Sequence, residues 1–147
     1  MKRLQKLIRL NRYLQDFDIP EYPGISPIRV VAAGDATSRL SKVLGDQVLI
    51  AIPELEQDCD EDSVTDTLTL AFFVIAKISG PARTQQLQDQ TFDRLLEVAD
   101  AILRKLITDM TGLPCEGLAG LSMRNVKVVP EESIFGGWSG WSIEIVF

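Results

Sequence analysis

The sequence predicts an α+β domain, a β-β-α-β-β sheet packed on one long helix, with an amphipathic helix ahead of it. Three observations predict this. Residues 66–78, DTLTLAFFVIAKI, alternate with the period of a strand. From about residue 84 to residue 110, Phe92, Leu95, Leu96, Ala99, Ile102, Leu103, Leu106 and Met110 recur at i, i+3, i+4 and i+7. The chain then closes on two more apolar alternations, separated by a Gly-rich stretch that reads as a hairpin.

The elements follow in order. Residues 3–15 place Leu4, Leu7, Ile8, Asn11 and Leu14 at helical spacing, with basic residues opposite. Pro20, Pro23, Gly24 and Pro27 impose an extended connection. Residues 28–33 read as a short strand. Asp35 caps a short helix that runs to about Leu44 and stops at Gly45. Residues 47–56 (QVLIAIPELE) form the next strand, and Pro53, which has no N–H to donate, must bulge or break it. The acidic link 57–66 joins this strand to 66–78 as a long hairpin. Gly80-Pro81 turns the chain into the long helix; Gly112 and Pro114 end it. Strands at 123–129 and 141–147 flank the loop 134–140. Burying the helical stripe on the sheet gives two layers in a single domain, with 1–27 as helix and arm and 28–147 as the body.

Strand 66–78 has one wholly apolar face: Leu68, Leu70, Phe72, Val74, Ala76 and Ile78. The other is polar at its ends (Thr67, Thr69, Lys77) but apolar at Phe73 and Ile75. A sheet that shows its back to water should be polar there. Two covers are open: the N-terminal helix, or a neighbouring subunit. On the second, Phe73→Asp should weaken association more than folding.

Charge is unevenly placed. The net charge is −6, yet Lys2, Arg3, Lys6, Arg9 and Arg12 give the first twelve residues +5, leaving −11 on the rest. An acidic body argues against a nucleic-acid partner, since phosphate contact needs clustered Lys and Arg. A basic arm on an acidic body suits self-association or an acidic partner as well as it suits a solvated helix face. Phe73, Ile75, Arg9, Arg12 and Trp138 are therefore the candidate oligomer interface.

No apolar run approaches the ~18 residues that cross a bilayer, so no membrane partner is expected. The N-terminus lacks the continuous apolar core of a signal peptide and reads as mature protein. Cys59 and Cys115 form no CxxC, and reduced thiols in a cytoplasm are the expectation, with a Cys59–Cys115 disulfide the alternative.

Little announces chemistry. The chain has no histidine, which removes Ser-His-Asp and Cys-His catalysis and the commonest zinc ligand. It has no phosphate-binding Gly-rich motif. Asp58, Asp60 and Asp62 match the start of a calcium loop, but its sixth position is Ser63 rather than Gly and its twelfth is Thr69 rather than Glu. A solvated acidic hairpin tip is the better reading. In GGWSGW, Trp141 is in phase with Ile143, Ile145 and Phe147 and should pack, leaving Trp138 as the exposed one. Cys115 has no base nearby in sequence and reads as an inert thiol. No catalytic residue, cofactor or metal is expected.

The strands VLIAIPELE and LTLAFFVIAKI, the GPART turn into TFDRLLEVADAILRKL, and the strands NVKVVPEES and GWSIEIVF together resemble the tail-terminator and tail-completion (head–tail joining) proteins of tailed bacteriophages. The resemblance covers about residues 48–147 and extends to the amphipathic N-terminal helix. The 34–45 segment and the long acidic link depart from that pattern. The resemblance implies a non-enzymatic ring, commonly hexameric, that caps the tail tube and meets the head connector. It also implies assembly in the cytoplasm of a bacterial host, and residence in the virion tail. A small intracellular ligand-binding or regulatory α+β domain is the alternative. A hydrolase using the acids of 58–66 stands last, because a mobile hairpin supports a site poorly.

Overall fold

Everything is arranged around β4 (Val64–Lys77), the long strand first recognised by its alternation. The computed structural model describes residues 3–25, 27–30, 33–43, 45–51, 54–59, 61–78, 84–111 and 124–147. On one edge, β4 pairs antiparallel with both β2 (Asp46–Ala51) and β3 (Glu54–Cys59). On the other it pairs with β6 (Trp138–Val146), which carries β5 (Asn125–Ile134) as the outer strand. The short β1 (Pro27–Val30) adds to β2 in parallel, so the sheet runs β1-β2-β4-β6-β5. With α1 (Arg3–Gln15), α2 (Ala33–Leu40) and α3 (Gln85–Thr111), the chain is α+β.

The predicted strand 47–56 is described as two strands, β2 ending at Ala51 and β3 starting at Glu54; Pro53, the expected breaking point, lies outside the described residues. In β2, Ile50 faces Phe72; in β3, Glu54 faces Thr69. The register against β4 is thus offset by one residue between the two pairings. A one-residue offset exchanges the faces. Val48 and Ile50 point to the same core as Leu55, although the first two are even-numbered and the third odd.

That core lies on the first face of β4. Leu68, Leu70, Phe72, Val74 and Ala76 pack with Val48, Ile50, Ile143 and Ile145 under α3 and α1. The helix α3 buries Leu95, Ala99, Ile102 and Leu106 as its stripe predicts. It also buries Thr91, Val98 and Ala101, and it leaves Leu96 40% exposed. The stripe is displaced because α3 is contacted on its flank by α1 and the segment that follows it. Tyr13 Oη donates to Asp109 Oδ2 at 2.6 Å, and the Lys105 ammonium sits 5.6 Å from the centre of the Phe17 ring. For the same reason α1 buries Leu10 and Leu14 and half-buries Leu7, while Ile8, expected inside, is 42% exposed. Phe17 and Ile19 continue the apolar contact past the end of the helix.

The second face of β4 has its own core, and this corrects two expectations. Ile75 and Leu49 join Val30, Ala36, Leu40 and Trp138 in a separate buried cluster, with Phe73, Phe135, Ile28, Val43 and Ile134 at its margin. The cover is α2, neither the N-terminal helix nor a neighbour, so the sheet has a third layer where two were predicted. An eight-residue helix is too short to be stable alone. Ala36 and Leu40, one turn apart, are what seat it.

The hairpin β5–β6 contains a second offset, between Glu131 and Ile134, followed by a turn with positive φ at Phe135, Gly136 and Gly137. At Gly140, opposite Ile75, a Cβ would collide with the Val74 carbonyl oxygen and lie 3.0 Å from Ile75 Cα. Only glycine lets β6 approach β4 here. Among the described residues, no helix is long and apolar enough to cross a membrane.

Candidate assembly surfaces

The five predicted interface residues separate into two groups. Ile75 is fully buried and Trp138 is 1% exposed, both inside the α2-covered core, and neither offers a surface to a neighbour. Phe73 is half-buried and meets Phe135 edge to face, with ring centres 5.0 Å apart. Arg9 and Arg12 are exposed on α1, and among the described residues neither makes an ion pair.

The tryptophans are the reverse of what was expected. The strand β6 starts at Trp138, three residues before the predicted start, and pairing Trp138 with Lys77 turns its indole to the face of Ile75. Trp141 lies on the opposite, α3-covered face and is only half-buried. Its Nε1–H donates to the Phe92 carbonyl at 2.8 Å, and its ring meets that of Phe92 at 6.0 Å.

A surface absent from the predicted interface set is the ribbon made by β3 and the start of β4. Their pairing runs from Glu54↔Thr69 to Cys59↔Val64, whereas the pairing of β6 with β4 runs from Lys77 and stops at Thr69. One further bond, from Phe147 N–H to the Leu68 carbonyl at 2.9 Å, closes that end of the sheet. Past Leu68 the two strands run on as a ribbon, with no third strand on either edge among the described residues. Leu55 and Leu68 root it in the main core. Its other face carries Glu54, Glu56, Thr67 and Thr69, which explains the polar end of the β4 alternation.

Residues 54–66 hold seven acids and no base. Glu54, Glu56, Glu61 and Asp62 are exposed. The side chains of Asp58, Asp60 and Asp66 lie outside the described residues, and with them the test of the calcium spacing. Among the described residues, no three His, Cys, Asp or Glu side chains are placed to hold a metal ion. Cys59 is a free, exposed thiol; Cys115 lies outside the described residues.

The opposite sign is gathered on α1. Its outward side shows Gln5, Ile8, Arg9 and Arg12, with Lys6 half-buried beside them. Elsewhere, the ion pair of Arg94 with Asp46 joins two elements. The Arg94 guanidinium grips both carboxylate oxygens of Asp46, with the Nη2–Oδ1 contact at 3.1 Å, and fixes α3 to the start of β2.

A shallow groove of about 680 Å³ runs along the outer side of α3. Leu96 and Leu103 form its apolar floor, Val128 and Tyr22 its walls, and Asp93, Glu97 and Asp100 make it acidic. Arg104 in the same groove is engaged by Asp100 at 3.0 Å. No protein-family model matches this chain, and a search of curated proteins returns no significant match.

Proposed function

We propose that this chain is a structural, non-enzymatic component of a phage or prophage tail, which assembles into a ring that terminates the tail tube or joins it to the head. The observation that carries the reading is the β3–β4 ribbon. A two-stranded ribbon with open edges is marginal in water and is a natural template for another chain. Its presence on an α+β body with a basic N-terminal helix agrees with the resemblance to tail-completion proteins. The reading does not rest on Phe73 and Ile75, whose cover is α2. A ring needs a heterologous contact, one surface of each subunit on a different surface of the next. Its further partners are tail-tube and head-connector proteins, met in the bacterial cytoplasm during assembly and retained in the virion.

Sedimentation velocity and negative-stain microscopy test this. Closed rings of one size are expected; a monomeric mass up to high micromolar concentration overturns the reading. Tail-tube and tape-measure genes beside this one are expected as well.

The α3 groove favours a second reading, a small ligand-binding or regulatory domain, because an apolar lining with a few polar groups is how small-molecule sites are built. Saturable stabilisation by a small molecule, abolished by Leu96→Asp, would support it.

A further inference from the structure

We infer that the acidic β3–β4 ribbon of one copy docks on the basic outward face of α1 of the next copy, an inference that rests on the ring reading and names the contact that closes it. Charge complementarity carries it. Residues 2–12 hold five bases and no acid, and residues 54–66 hold seven acids and no base. Among the described residues, Lys6, Arg9, Arg12, Glu54, Glu56 and Glu61 make no ion pair, whereas Asp46, Asp100, Asp109, Arg94, Arg104 and Lys105 all do. These six charges, of opposite sign on the two elements, are thus left without an ion pair among the chain's described residues.

The geometry suits the pairing. Glu54 and Glu56 share one face of β3, about 7 Å apart along the strand. Arg9 and Arg12 share one face of α1, about 4.5 Å apart along the axis. Guanidinium groups accept carboxylates in two-pronged fashion and lose less hydration than an ammonium would, so arginine is suited to such a contact. Ile8 lies among them, 42% exposed, and gives the docking face an apolar centre that a covering chain would dry. The ribbon and the helix are different surfaces, so the contact is heterologous and propagates head to tail. Like charges concentrated on each element also disfavour the wrong pairings, ribbon on ribbon and helix on helix.

Two charge-reversed chains test the contact, one carrying Arg9→Glu with Arg12→Glu, the other Glu54→Lys with Glu56→Lys. All four positions are exposed, so the fold should survive, and thermal melts check it. Sedimentation velocity of the wild type should show an oligomer that dissociates as salt is raised. Each reversed chain alone should need at least ~100-fold more protein to assemble, because several attractions become repulsions. An equimolar mixture of the two should regain the wild-type mass, since the four exchanged positions then again face opposite charges. Should a reversed helix fail to fold, the neutral Arg9→Gln, Arg12→Gln chain replaces it, and loss of mass is again expected. An oligomeric wild type with reversed chains of unchanged mass, or a mixture that stays dissociated, overturns this contact and leaves the ring standing. A wild type that is monomeric throughout overturns both.

Discussion

At the scale of residues, two positions carry constraints that their neighbours do not. Gly140 brings β6 against β4 where a Cβ would strike the Val74 carbonyl. Gly140→Ala should therefore cost about 1–3 kcal/mol, the usual range for overpacking, as read by urea denaturation. Trp138 is the largest fully buried side chain of the chain's described residues, and Trp138→Ala should cost about 3–5 kcal/mol by the same measurement. Phe73 lies beside them, half-buried at the margin of the α2-covered core. Placed under α2 against Phe135, Phe73→Asp should lower the melting temperature while leaving the oligomeric mass of the folded fraction unchanged. An intact melting temperature with a lost oligomer would restore the interface assignment.

At the scale of elements, legibility tracked periodicity. The strand β4 and the helix α3 are legible because their apolar patterns are long. Where a helix has two partners the pattern blurs. Contact with both sheet and α1 broadens the buried face of α3 to Val98 and Ala101, and no 3.6-residue count distinguishes that from a narrower stripe. A break within 47–56 is legible, since Pro53 has no N–H to give. Its consequence, the reversal that turns Leu55 inward with Val48 and Ile50, is not, because it depends on the pairing register with β4. The role of α2 is not legible for another reason: among its described side chains only Ala36 and Leu40 are buried, too sparse a pattern to announce a layer. Among the assembly residues, Arg9 and Arg12 were legible as charge, whereas the ribbon needed the strand ends to be known. The clamp between Asp46 and Arg94 joins residues 48 apart in sequence and left no local sign. Arg94→Ala should cost about 1 kcal/mol, since the pair is two-pronged but partly solvated, and denaturation in low and high salt would read it.

At the scale of the whole molecule, the sheet is covered on one face by α3 and α1 and on the other by α2, so surfaces for assembly are left at its edges and on its helices. Charge is divided between two such places. Association should accordingly weaken steeply between about 0.05 and 0.5 M salt, where screening shortens from beyond 10 Å to a few ångströms. A salt-insensitive oligomer would direct attention to Leu87, Leu96, Ile107 and Val126, the large exposed apolar residues of α3 and β5 among those described.

The placement of the two tryptophans on opposite faces of β6 has a practical consequence. Each layer of the protein contains its own fluorophore: Trp138 beneath α2, Trp141 beneath α3. Chains bearing Trp138→Phe or Trp141→Phe report optically on one side of the sheet at a time. Because α2 is a short helix held by few contacts, the emission of Trp138 should shift to the red at a lower denaturant concentration than that of Trp141. Coincident transitions would show that both sides melt as one unit. The same signal would report, in real time, any event during assembly that lifts one cover and leaves the other in place.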